Sequence, residues 1–358
     1  MSTNWMRHFE LQLIDDKGQG IVLSDFKVTF SIQRNDNRWP ATADVKIYNL
    51  STETQNKILN QEFSRIVIIA GYDGLDVSQS DIVPASEVGK VRYIDDNSDG
   101  RNDDSNYGVI FSGDITFSVT GKENITDSYI IIVANDGEKA FREAIISASL
   151  KKGYTLRDEY DMLMRYLEPY GIKKGIEPVF PDTVYPRGAS YYGKVADYLS
   201  DLAADLNATW QFSYGKIDFI QEEYARKAVV VLNADTGLVG MPQQTIGAGV
   251  NVTCFINSKI QLHSLIQLDQ ASVYRAQLSN EQVLQSGGIR EQEINGNLVT
   301  TGLAQKEAPA SIATDGVYIV RYISYSGDTR GQNWYMDMAC EARGAQDGIS
   351  DSTVNKWL

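Results

Sequence analysis

The feature that most constrains this chain is a period of two in its apolar residues. "FELQLID" sets Phe9, Leu11 and Leu13 on one side, and "FKVTFSIQR" does the same with Phe26, Val28, Phe30 and Ile32. "ATADVKIYNL" adds Val45 and Ile47, and "RIVIIAGY", "GVIFSGDITFSV" and "SYIIIVAND" are short apolar or alternating runs closed by Gly, Asn or Asp. Alternation buries one face of each segment and leaves the other to solvent. It therefore predicts antiparallel strands, in a barrel or sandwich, over residues 1–135. Ser51 is placed to cap a short helix through "STETQNKIL".

Near Asn135 the period changes. "DGEKAFREAIISASL" repeats Ala140, Phe141, Ala144, Ile145 and Ala148 at helical spacing. "TLRDEYDMLMRYLEPYG" repeats Leu156, Tyr160, Leu163, Met164 and Leu167 and stops between Pro169 and Gly171. "SYYGKVADYLSDLAADLNATW" repeats Val195, Leu199, Leu202, Ala203 and Leu206, then gives way to "ATWQFSYGKIDFIQ", a hairpin turning at Tyr214-Gly215. Residues 136–228 thus read as a mixed α/β insert between two β regions. Strands return in "AVVVLN", "NVTCFIN" and "KIQLHSLIQL" and close with "VYIVRYISYSGD" and "NWYMDMACEAR", giving a second β region over 229–345 and a tail over 346–358. The polar stretch from Ser286 to Thr314 reads as a long loop or an extended hairpin.

Composition narrows the function. Hydrophobic residues are 42% of the 358, with 20 Tyr, which is globular and β-leaning. The longest apolar runs are too short to span a bilayer as a helix. "MSTNWMRHFELQ" shows no apolar core of a signal peptide. Cys254 and Cys340 are the only cysteines, and they suit a reducing compartment better than a disulfide scaffold. A net charge of −14 opposes general binding to a phosphate backbone, and its plain reading is solubility.

The catalytic inventory is thin. His8, just ahead of the first strand, and His263, inside the alternating "KIQLHSL", are the only histidines and read as ordinary strand-region residues. Nucleophilic triads need a histidine beside a nucleophile and an acid, and zinc needs several His, Cys or carboxylate ligands at close spacing. No phosphate-cradling glycine loop with its lysine is present. Carboxylate pairs such as Glu222-Glu223 are expected by chance in so acidic a chain, and these two point to opposite faces if the strand continues.

Between "AGYDG" and "YGVIFSGDI" lies an acidic insertion, residues 76–106, long for one connection in a compact barrel. Asp95, Asn97 and Asp99 alternate ahead of Gly100, and Asp103 follows. These are the opening oxygen ligands and the turn glycine of an EF-hand-like calcium loop. The last ligand place falls on Asn106, which lacks a bidentate carboxylate, and the flanks read as strands. The same residues also suit a solvated hairpin tip, where Asp, Asn, Ser and Gly collect for local hydrogen bonds. Ca2+ held by these four residues is one expectation and a bare acidic loop is the other.

Taken in order, several stretches resemble the baseplate hub protein of tailed, mostly contractile, bacteriophages and related injection machines. They are "FKVTFSIQRNDNRWPATADVKIYNLSTETQNKI", "IIAGYDG", "VIFSGDI", "ANDGEKAFREAIISASLKKGYTLRD" and "YYGKVADYLSDLAADLNATWQFSYGKIDFI". The most specific are "LNADTGLVGMPQQTIGAGVNVTCFINSKIQLHSLIQLD" and "DGVYIVRYISYSGDTRGQNWYMDMACEAR". The resemblance covers nearly the whole chain except the acidic insertion, and no spike or lytic domain is expected after the last stretch.

The resemblance implies a mainly β fold: two tail-tube-like antiparallel β-barrels with a mixed middle domain. It also implies a homotrimer whose six barrels form a ring, docked on a six-fold tail tube protein above and a three-fold central spike protein below. Further partners would be the C-terminus of the tape-measure protein and baseplate wedge proteins. The place is the virion tail baseplate, assembled in the bacterial host cytoplasm, and no enzymatic role is implied. DNA would cross the lumen without specific binding, which gives the acidic charge a use as a repelling wall. The segment holding Gly237, Leu238, Val239, Met241, Pro242 and Gly247 is expected at a chain–chain contact, although its glycines also serve as plain turn positions. On residues alone two other classes stay open: a peptidoglycan or glycan hydrolase acting at infection, and an exported calcium-dependent binding module.

Overall fold

The computed structural model describes residues 4–73, 106–221, 229–244, 249–268, 290–294, 297–301 and 316–342. The first β region holds β1 (Arg7–Ile14), β2 (Gly20–Val22), β3 (Val28–Asn35), β4 (Thr42–Tyr48), α1 (Thr52–Leu59), β5 (Arg65–Tyr72), β6 (Asn106–Lys122) and β7 (Ser128–Asn135). The insert holds α2 (Glu138–Glu143), β8 (Ile145–Leu150), α3 (Leu156–Leu167), β9 (Lys173–Lys174), β10 (Ala189–Lys194), α4 (Val195–Asp205), β11 (Ala208–Ser213) and β12 (Lys216–Gln221). The second β region holds β13 (Val229–Leu232), β14 (Leu238–Gln244), β15 (Gly249–Phe255), β16 (Leu265–Leu268), β17 (Arg290–Ile294), β18 (Asn297–Thr301), β19 (Val317–Asp328) and β20 (Trp334–Ala342).

Alternation becomes burial as the pattern requires. Phe30, Val45 and Ile132 face one another across β3, β4 and β7, and all three are buried. Ser51 caps α1 by accepting from the Thr54 N–H. The mainly β fold with a mixed insert is as expected, but no barrel closes on itself among the described residues. Strands of both β regions lie in one thirteen-stranded sheet, ordered β14-β15-β20-β19-β3-β4-β7-β6-β5-β1-β2, with β16 and β13 branching from β19. The physical reason lies at β3. Each strand has two hydrogen-bonding edges, and closing the first barrel by backbone would require β1 or β2 on the free edge of β3. That edge is taken by β19, with Phe30 opposite Gly327. The glycine is required there, because a Cβ would sit 2.2 Å from the Phe30 ring.

The sheet curls until its far ends meet through side chains. Phe9 on β1 stacks on Phe30 at 5.5 Å, and both meet the Trp334 ring of β20 edge-on, at 6.2 and 5.6 Å. Arg7 reaches across to the β19–β20 turn, donating to the carbonyls of Gly331 (2.6 Å) and Gln332 (2.9 Å). One apolar core runs through both β regions, from Leu11 and Val45 to Val252 and Met336.

The insert builds a second core of its own, drawn from residues between Ala140 and Phe219. The helix expected through "DGEKAFREAIISASL" ends at Glu143, and Ile145–Leu150 is the strand β8, paired antiparallel with β10. Short apolar runs fit either period, and the pairing with β10, distant in sequence, decides between them. α3 follows its pattern, with a capping box at Thr155 and Asp158. The β11–β12 hairpin turns at Tyr214-Gly215, both at positive φ (55° and 76°), the left-handed pair that matches strand twist.

The two cores are joined by charge. Asp136, just after β7 and buried, accepts from the N–H groups of Tyr214 (2.7 Å) and Gly215 (3.1 Å). The buried Arg34 guanidinium lies 3.9 Å from the Tyr214 ring centre. Burial pushes the Asp136 carboxyl up, while Arg34 and the two N–H groups pull against that shift.

Candidate functional site

The segment expected at a chain–chain contact stands at one end of the sheet. β14 pairs with β15 on one side and, among the described residues, with no strand on the other. Its register slips between Val239 and Gln243, a bulge that accommodates Pro242, which has no N–H to give to a ladder. Met241 points outward and is 60% exposed, Leu238 and Val239 are half-buried, and Pro242 is buried. Gly237 is a buried turn residue at φ 110°, a left-handed backbone conformation that side-chain-bearing residues rarely adopt. Gly247 lies outside the described residues, as do Asp95, Asn97, Asp99 and Asp103 of the acidic insertion and Glu222-Glu223.

Exposed apolar groups gather close to this edge. Trp5 and Met6 are 54% and 68% exposed, and the Asn4 side chain beside them donates to the Thr236 carbonyl. Phe255 stacks on Tyr335 at 6.0 Å and meets Tyr72 at 6.2 Å, so the aromatic row crosses from β20 to β5, where the sheet's ends come together.

Of the two histidines read as strand residues, His8 is one and His263 is not. His263 is not in a strand. "KIQLH" forms turns, β16 begins at Leu265, and His263 is wholly buried at φ 63°. Ile260 to Ser264 are all buried, a continuous burial that an alternating strand cannot provide. The His263 Nε2 lies 3.1 Å from Asp36, and Arg321 binds Asp36 through Nη1 and Glu341 through Nε, both at 2.9 Å. Burial would raise the Asp36 carboxyl, but His263 and Arg321 hold it below its ordinary value. This network links the end of β3 to β19, β20 and the turn before β16. It therefore locks the two β regions together. His8 lies inside β1, between Glu10 and Asp73.

Cys254 and Cys340 are buried free thiols on the neighbouring strands β15 and β20, and burial pushes both thiols well up, away from the reactive thiolate. Among the described residues, no three His, Cys, Asp or Glu side chains are grouped to hold a metal, and no helix is long and apolar enough to cross a membrane.

No family model and no curated protein matches the chain. Solved structures do. A component of the type VI secretion system of E. coli, described as similar to T4 bacteriophage tail proteins, matches over 90% of this chain and 75% of its own, with 9% identity and a TM-score of 0.48. A 43 kDa tail protein of prophage MuSo2 from Shewanella oneidensis matches over 93% and 98%, with 11% identity and a TM-score of 0.46. A tail protein from Neisseria meningitidis matches over 94% and 97%, with 8% identity and a TM-score of 0.47.

Proposed function

We propose that this chain is a structural baseplate hub of a phage tail or a phage-like injection machine. Three copies form a pseudo-six-fold ring that joins a six-fold tail tube to a three-fold spike and lets DNA pass. The observation that carries the reading is the sheet order. Two β regions, separated in sequence by an insert with its own core, stand side by side in one curled sheet joined at β3 and β19. Each chain thereby offers two tube-like β units to a ring, so three chains supply the six positions that a six-fold tube presents. The order of the hub-like stretches along the chain supports the same reading. Residues 237–247 are the proposed contact between copies, because β14 brings to one place the exposed Met241 and a sheet edge that no other described strand pairs. The proposed lumen is acidic, in keeping with the net charge of −14, and repels phosphate.

Size-exclusion chromatography with light scattering tests this. The reading expects a mass three times that of the chain, independent of loading concentration over a tenfold range. A monomer at all concentrations would overturn it.

A further inference from the structure

The His8 ring stands between two carboxylates. Its Nδ1 is 2.6 Å from Asp73 Oδ1, and its Nε2 is 3.2 Å from Glu10 Oε1. The ring stacks on Tyr107 at 3.7 Å with an interplanar angle of 12°. A neutral imidazole carries one N–H and one lone pair, so it can donate to one carboxylate only and must turn the lone pair on the other. Only the cation, with an N–H on each nitrogen, satisfies both contacts. The place matters too. Asp73 follows β5 and Tyr107 is near the start of β6, so this side chain binds the strand ends on either side of residues 74–105. One backbone and one side-chain hydrogen bond repeat the link: the Asp73 N–H donates to Met6 O (2.8 Å), and Asn106 Nδ2 donates to Asn4 Oδ1 (2.7 Å).

We propose that His8 is a proton-operated clamp. Charged, it ties the N-terminal strand to the end of β5 and the start of β6, and neutral, it releases that tie. Among the described residues, the titratable groups that face it are Glu10 on β1, Asp73 after β5 and Tyr107 on β6, while Arg7 is turned away to the β19–β20 turn. Burial works against the charge, but Glu10 and Asp73 outweigh it and raise the imidazole above its ordinary value. A raised folded value means that the clamp is fully engaged below the unfolded midpoint, near 6.5, and is lost as pH rises through the folded midpoint.

The chain has two histidines, so 13C-labelled histidine gives two imidazole signals, and H8Q assigns them by removing one. The His8 midpoint is expected above about 6.5, and D73N and E10Q should each lower it. In the wild type, hydrogen-exchange protection of the Asp73 amide should fall across the titration. The expected fall is about tenfold for each pH unit between the folded and unfolded midpoints, and H8Q should show none. A midpoint at or below about 6.5, a midpoint unmoved by D73N, or the same loss of protection in H8Q would each overturn the clamp.

Discussion

The Arg7 guanidinium on the first strand lies 2.6 Å from the carbonyl oxygen of Gly331, which is 324 positions later. It also bonds Gln332 O and sits 5.4 Å from the centre of the Trp334 ring. No backbone ladder among the described residues joins β1 to β20, so this side chain and the Phe9–Trp334 contact close the curled sheet. R7A should lower stability by about 1 kcal/mol, the typical net value of hydrogen bonds at a solvent-facing site. R7K should recover part of it. Urea midpoints of the three proteins measure this.

The Asp36–Arg321–Glu341 network should matter more. R321M leaves the two carboxylates short of their shared cation, one of them nearly buried, and should cost about 3 kcal/mol. It should also change the pH profile. Asp36 has a lowered folded pKa, so it contributes stability above its unfolded pKa of about 3.9, and that stability is lost as pH falls through the folded value. Melting temperature against pH should therefore drop less steeply on the acid side in R321M than in the wild type.

In the insert the sign reverses. Glu159 on α3 is buried, and burial first, with Asp201 and Asp205 adding to it, raises its carboxyl against the opposing Tyr191 hydrogen bond. The folded state then favours the protonated form, so the contribution of Glu159 is present below its unfolded pKa and declines as pH rises through the raised value. E159Q should raise the melting temperature at neutral pH and lose that advantage in acid. Thermal scans at both ends of the range decide it.

Met241 tests the proposed contact. M241D places a charge on β14 at a side chain that is 60% exposed. Light scattering should show smaller species than the wild type, while far-UV circular dichroism stays unchanged.

The strands were legible because half-buried segments write their burial into alternate residues, as in Val28, Phe30 and Ile32. The helices α3 and α4 were legible from apolar spacing. The strand β8 was not, because Ala144, Ile145 and Ala148 satisfy a helical stripe and only the pairing with β10 settles the matter. The joining of the two β regions was hidden for the same reason: nothing local in "FKVTFSIQR" says that β19 will lie beside it. His263 shows a further limit. Its partners Asp36 and Arg321 are remote in sequence, and alternation in "KIQLHSL" imitates a strand where the chain makes turns. The candidate edge at residues 237–244 rests on a resemblance, and its bulge, like its lack of a second partner among the described strands, belongs to the sheet and not to any pattern of residues.

The proposed ring of three chains with six tube-like units can be seen in electron-microscopy class averages of the purified protein. A trimeric hub gives end views with a central hole and a pseudo-six-fold outline that reduces to true three-fold symmetry. Compact particles without a hole, or a ring of any other symmetry, would contradict it.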